Sequence, residues 1–100
     1  MHNNSFIIKV CGLRDADSIY AVEQAGANWL GFIFYSKSKR CVEKVPSYLP
    51  VDAKRVGVFV NESIFFIMDK VNSFSLDIVQ LHGDESPQLC QQLHNKQIEV

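Results

Sequence analysis

Four side chains in this sequence have the types and settings from which chemistry is built: Cys11, Arg40, Gln80 and His82. Cys11 lies near the end of a nearly all-apolar run, Phe6 to Leu13 (FIIKVCGL), and is followed at once by glycine. Such a run suits a strand buried on both faces, as in parallel sheets. The carboxyl end of a strand of that kind is where α/β folds place their reactive groups. Position alone leaves two readings of the thiol open, a small buried hydrophobe or a proton-transfer group. A free thiol has a pKa of about 8.5, so a useful base near neutrality needs that value lowered. Lys9 stands two residues earlier, on the same side of a strand of period two, where an ammonium would favour a thiolate. Pairing with an acid such as Asp77, or plain solvation, would occupy Lys9 instead.

Arg40 sits in the basic loop Tyr35 to Cys41, YSKSKRC. A planar guanidinium is suited to gripping a carboxylate with two hydrogen bonds. Composition alone favours a solvated loop, because Lys37, Lys39 and Lys44 are neighbours. His82 ends the run QLHGDE, and Gln80 shares its strand face, where an amide can hydrogen-bond substrate or water. A lone histidine is more often structural than catalytic. Asp84 and Glu85 suit the N-terminus of the helix that follows. Cys41 and Cys90 read as structural, His2 and His94 as incidental. Three cysteines, at 11, 41 and 90, have no metal-type spacing and an odd count. A disulfide framework is not expected; reduced thiols in the cytoplasm are.

The elements that must position these groups follow in order. Asp15 is an N-cap candidate, with Ala16, Ile19, Val22 and Ala25 near helical spacing and Gly26 at C′. Asn28 to Phe34 (NWLGFIF) is a second buried strand, and its Gly31 signals close backbone approach. A short helix or single turn is expected around Glu43 to Leu49, limited by Pro46 and Pro50. Lys54 to Val60 is a third strand. Asn61 is expected to cap a helix carrying Ile64, Met68 and Val71 on one face, widened by Phe65 and Phe66. Leu76 to Leu81 is a fourth strand. Ser86-Pro87 reads as N-cap and N1 of a helix faced by Leu89, Cys90 and Leu93. Lys96 to Val100 begins a further strand.

Strand-like runs start near residues 6, 28, 54, 75 and 96, at intervals of 22, 26, 21 and 21. That period is the mark of βα repeats and a parallel sheet. Two architectures fit: a flavodoxin-like five-stranded open sheet, or the N-terminal half of a (βα)8 barrel. With 100 residues, no composition break and no linker, residues 1–100 are expected to form one partial barrel domain without an internal boundary. A net charge of -1 and 47% hydrophobic residues give no field that recruits nucleic acid or an anionic membrane. No apolar run approaches the roughly 20 residues that span a bilayer.

The loops exclude several chemistries. CGLRD has neither GxGxxG nor GxxxxGK[ST], so dinucleotide and P-loop readings fail. A receiver domain would need acids where Cys11 and Asn61 stand.

Five motifs, in order, resemble the successive strand ends of phosphoribosylanthranilate isomerase: Lys9 to Leu13, Gly26 to Phe34, Lys37 to Arg40, Val56 to Asn61 and Leu76 to Glu85. The resemblance runs from about Phe6 to Leu93 and covers the N-terminal half of that family's barrel. It implies an Amadori rearrangement of N-(5-phosphoribosyl)anthranilate in tryptophan biosynthesis, using no metal and no cofactor. A general acid opens the ribose ring to a Schiff base, and a general base removes the proton from the adjacent carbon. By resemblance Cys11 is that base, Arg40 holds the anthranilate carboxylate, and His82 and Gln80 line the substrate site. Lys39 stands where the family usually has proline, which leaves the loop before Arg40 less rigid. The family's acid, at the end of strand five, and its phosphate site, after strands seven and eight, lie beyond this sequence.

Half a barrel leaves strand edges unpaired and exposes side chains meant for the barrel interior. The chain alone is therefore expected to be a homo-oligomer, or to be completed by a complementing C-terminal half-barrel, and to lack turnover. The alternative is a non-catalytic, self-associating half-barrel module.

Overall fold

A computed structural model describes residues 8–42, 44–83, 85–96 and 99–100. Four strands, β1 (Lys9–Cys11), β2 (Trp29–Ile33), β3 (Lys54–Phe59) and β4 (Ile78–Leu81), alternate with three helices, α1 (Ala16–Gln24), α2 (Ile64–Phe74) and α3 (Pro87–Asn95). All the strand pairings are parallel and the spatial order is β1-β2-β3-β4. A flavodoxin-like sheet would instead put its first strand between the second and third. Consecutive order is the barrel pattern, and it removes the open-sheet alternative.

The two faces of the sheet have different partners. Leu30, Phe32, Phe34, Phe59 and Val79 join Ile19 of α1, Ile67, Val71 and Phe74 of α2 and Leu93 of α3 in one core. Four phenylalanines give that core its geometry: Phe34 stacks on Phe59 at 5.0 Å and meets Phe74 edge-on at 4.9 Å, while Phe32 lies 5.5 Å from Phe74. The residues between them in sequence, Cys11, Gly31, Ile33, Val56, Val58, Ile78 and Gln80, belong to the opposite face. The helices therefore cover one face and leave the other for a barrel interior.

The sheet is curled. On a flat sheet β1 and β4 would stand about 14 Å apart, three strand spacings. Yet Lys9 Nζ donates a hydrogen bond to Gln80 Oε1 across that face. The ladder row from Cys11 runs through Gly31 and Val56 to Ile78, which puts Lys9 level with Leu76, four positions before Gln80. A (βα)8 barrel advances about one residue per strand. Curl and advance together are those of a barrel wall.

Caps explain where the helices begin. Asp15 accepts from Ser18 N at 2.9 Å, and Ser86 Oγ accepts from Leu89 N at 3.2 Å ahead of Pro87. Gly26 ends α1 at φ +102°. For α2 the cap is Ser63, whose Oγ accepts from Phe66 N, and not Asn61. Asn61 instead turns the chain at φ +52°. Phe65 was expected on the apolar face but is 85% exposed.

The short helix expected around Glu43 to Leu49 does not form over the described residues of that segment. Glu23 holds the end of this connection by another means. Its carboxylate accepts from the amides of Val51, Asp52 and Ala53 at 2.8, 2.8 and 3.1 Å and from the Tyr48 hydroxyl. Of the run expected as a first strand, Phe6 and Ile7 lie outside the described residues, as does His2. The expected fifth strand is represented by Glu99, which bridges Ile78 in parallel and accepts from Val79 N at 2.8 Å.

Candidate active site

Cys11 and His82 come from opposite ends of the four-strand arc, and both line one cavity of about 240 Å³. Cys11 is the last residue of β1, and His82 directly follows β4, its amide extending the ladder to Phe59 O at 2.9 Å. Ile33, Val58 and Val60 form the apolar part of the wall, while Tyr35 and Ser38 come from the loop after β2. All of these lie at the carboxyl ends of parallel strands, the face on which barrels carry their chemistry.

Gly31 makes room for the thiol. A Cβ at that position would lie 2.8 Å from Cys11 Sγ and 3.4 Å from Cys11 Cα. The sequence signal of a close approach at Gly31 thus has its cause: the neighbour is the sulfur.

Arg40 is placed through Gly12. Gly12 adopts φ +83°, and a Cβ there would sit 2.7 Å from Arg40 Cδ. The stem of Arg40 lies on the backbone of the residue after the thiol, and its side chain is exposed. The loop that carries it is held by Arg14 Nη1, which donates to Lys39 O at 3.1 Å, and by Ser38 Oγ, which accepts from Arg40 N at 3.2 Å.

Gln80 is not in the cavity with Cys11 and His82. It lines a neighbouring one of about 370 Å³ with Lys9, Trp29, Val56, Ile78 and Glu99, and its carbonyl is occupied by Lys9. Asp77, the acid considered for Lys9, accepts instead from Arg55 N at 2.9 Å. Among the described residues no three His, Cys, Asp or Glu side chains gather as a metal site. No helix among them is long and apolar enough to cross a membrane.

Glu85 has a role the sequence reading missed. Its carboxylate accepts from Asn61 N at 2.6 Å and Gly83 N at 2.8 Å, tying the residue after Val60 to the residue after His82. That joins the loops after β3 and β4 at the cavity rim. The sequence offered only an acid near a helix start, and Asp84, its companion in that reading, lies outside the described residues. Tyr35 and Ser38 were within the basic loop singled out but were not separated from it.

Residues 8–100 match the sequence family described as N-(5'phosphoribosyl)anthranilate (PRA) isomerase. The isomerase of Phocaeicola vulgatus is 53% identical over 87 residues, covering 87% of this chain and 42% of the relative. That of Parabacteroides distasonis is 45% identical over 96 residues, covering 90% and 43%. The chain thus spans less than half the length of these relatives. Among solved structures, phosphoribosyl anthranilate isomerase in complex with reduced 1-(o-carboxyphenylamino)-1-deoxyribulose 5-phosphate superposes with a TM-score of 0.81 at 34% identity, over 90% of this chain and 49% of that one. The Thermotoga maritima enzyme gives a TM-score of 0.80 at 34% identity, over 90% and 46%. A consecutive parallel half-barrel with a thiol at the end of its first strand, matched along nearly its whole length, belongs to the N-(5'-phosphoribosyl)anthranilate isomerase family.

Proposed function

We propose that this chain supplies the N-terminal half of a phosphoribosylanthranilate isomerase active site, working in cytoplasmic tryptophan biosynthesis. The observation that carries this reading is that Cys11 and His82 share one strand-end cavity on a chain of that family. The reaction turns N-(5-phosphoribosyl)anthranilate into the carboxyphenylamino-deoxyribulose phosphate. Protonation of the ribose ring oxygen opens the ring to a Schiff base. Cys11 takes the proton from the adjacent sugar carbon, leaving an enolamine that tautomerises to the ketose. The apolar walls from Ile33, Val58 and Val60 limit water around that step. Arg40, whose stem lies beside Gly12, grips the anthranilate carboxylate, and His82 lines the substrate site. Gln80 acts one layer beneath.

The proton donor and the phosphate grip belong to βα units outside these 100 residues, whether carried on the same polypeptide or on a complementing C-terminal half-barrel. A polypeptide of these residues alone is expected to show no turnover, and mixing with the second half to restore it. Cys11→Ala in the restored barrel lowers kcat by about 10²–10⁴, the usual contribution of a positioned base. Full turnover by that variant would refute the role given to the thiol. The outer edge of β1, with which no described strand pairs, favours a second reading, a self-associating module without catalysis. Light scattering of the 100-residue chain with and without the second half separates the two: the module keeps its own oligomer, while the half-enzyme exchanges it for the mixed barrel.

A further inference from the structure

We infer that Lys9 and Gln80 are positioning residues that set the distance between Cys11 and His82. The inference deepens the proposed isomerase site and rests on Cys11 and His82 facing one substrate. Cys11 ends β1 and His82 directly follows β4, the two outermost of the four strands, so the curl of the sheet decides how far apart they are. Side chains on one face of a strand recur every second residue. Lys9 is two residues before Cys11 and Gln80 is two before His82, so one pair lies directly beneath the other on the same two strands. Among the described side-chain hydrogen bonds, Lys9 Nζ to Gln80 Oε1 is the one that crosses from β1 to β4.

The chemistry of the pair fits a strap better than a substrate contact. Lysine has a flexible four-carbon stem and three donors at its tip. Gln80 presents a neutral carbonyl, so the ammonium is held in place while its charge is not cancelled. Shortening or removing either partner leaves the backbone ladders of β1-β2-β3-β4 intact but frees the arc to flatten, because ladder hydrogen bonds fix neighbours and not the chord across three strand steps.

The test reads the chord directly in the 100-residue chain. Cys41 and Cys90 are replaced by serine and His82 by cysteine, leaving thiols at positions 11 and 82 for a short bifunctional thiol reagent. Lys9→Met or Gln80→Leu is expected to lower the cross-linking rate about tenfold, the scale on which effective concentration falls when two groups lose their mutual geometry. Lys9→Arg, which keeps a donor of similar reach, is expected to restore most of it. Circular dichroism and melting are followed alongside, and rates are compared well below each variant's midpoint. A pair that only stabilises the fold would lower the midpoint and leave the rate unchanged, which would overturn the inference. Should Lys9→Met not fold, Gln80→Leu reads the same chord with the lysine retained. Failure of the isomerase reading is scored separately, by turnover of Cys11→Ala in the completed barrel, a result that leaves the cross-linking rates untouched.

Discussion

Two glycines set the positions of two of the side chains expected to meet the substrate. Gly31→Ala would put a methyl 2.8 Å from Cys11 Sγ. The thiol must then leave its rotamer or β2 must shift, since real contacts do not approach so closely; off-rotamer strain costs about 0.5–1.5 kcal/mol. Turnover of the completed barrel is expected to fall at least as far as about tenfold, which corresponds to about 1.4 kcal/mol of lost positioning, with the midpoint shifted only by the strain itself. Gly12→Ala is the companion case. It forces a side chain into φ +83° and drives a methyl against Arg40 Cδ. Its effect is expected in KM, because a guanidinium that grips the carboxylate, as proposed, would do so in ground and transition state alike. Steady-state kinetics that show a kcat loss with KM unchanged would contradict that assignment. The glycines were visible in the sequence, and Gly31 carried a legible message of close approach. Which neighbour it admitted was not legible, because that depends on the register of β1 against β2.

At the scale of elements, the strands were legible because each is a continuous apolar run, the pattern that a sheet with two covered faces demands. Asp15 and Ser86 were legible as caps because capping is a local contact over three residues. The connection from β2 to β3 was misread for the opposite reason. A short helix or single turn was expected around Glu43 to Leu49, limited by Pro46 and Pro50, but the end of this connection is held by Glu23, more than twenty residues earlier in the chain, which accepts from three consecutive amides and the Tyr48 hydroxyl. Partial burial pushes the Glu23 carboxyl up, yet the hydrogen bonds from Tyr48, Ala53, Asp52 and Val51 outweigh it and hold the group below its ordinary value. Tyr48 is pushed up to about 12, first by its hydrogen bond to Glu23 and then by desolvation and the carboxylate charge. The signs fix a window. The lowered carboxyl contributes stability above its ordinary range near 4.5, and that contribution is lost as pH falls through the lowered value. The raised phenol contributes fully below its ordinary value of 10.0, and that contribution is lost as pH climbs towards about 12. Glu23→Gln is expected to remove both limbs from a plot of melting temperature against pH, lowering stability between them by about 1–2 kcal/mol, a discounted figure for solvent-accessible charged hydrogen bonds. If the variant keeps the wild-type profile at both ends, the clamp does not hold the loop.

At the scale of the whole molecule, strand order separates what periodicity could not. Intervals of 21 to 26 residues fit an open sheet as well as a barrel. Consecutive parallel order, helices packed on one face, and a lysine on β1 touching a glutamine on β4 fit only a curled wall. None of these is local in sequence, so composition and strand spacing could not supply them; only the resemblance of the five strand-end motifs pointed to the barrel. The curl also decides how such a chain associates. Its inner face carries Ile33, Val56, Val58 and Ile78, and beyond β1 no described strand pairs with its outer edge. A partner that adds parallel strands at that edge and covers those side chains would bury both at once, and four further βα units do this in an eight-stranded barrel. The 100-residue polypeptide is therefore expected to self-associate with a mass that rises with concentration, and to pass to a one-to-one complex when the second half is added. Sedimentation velocity across a hundredfold range of concentration, with and without that half, reads both states. A concentration-independent monomer that ignores the second half would mean that the inner face is satisfied within the chain, and the complementation reading would have to be abandoned.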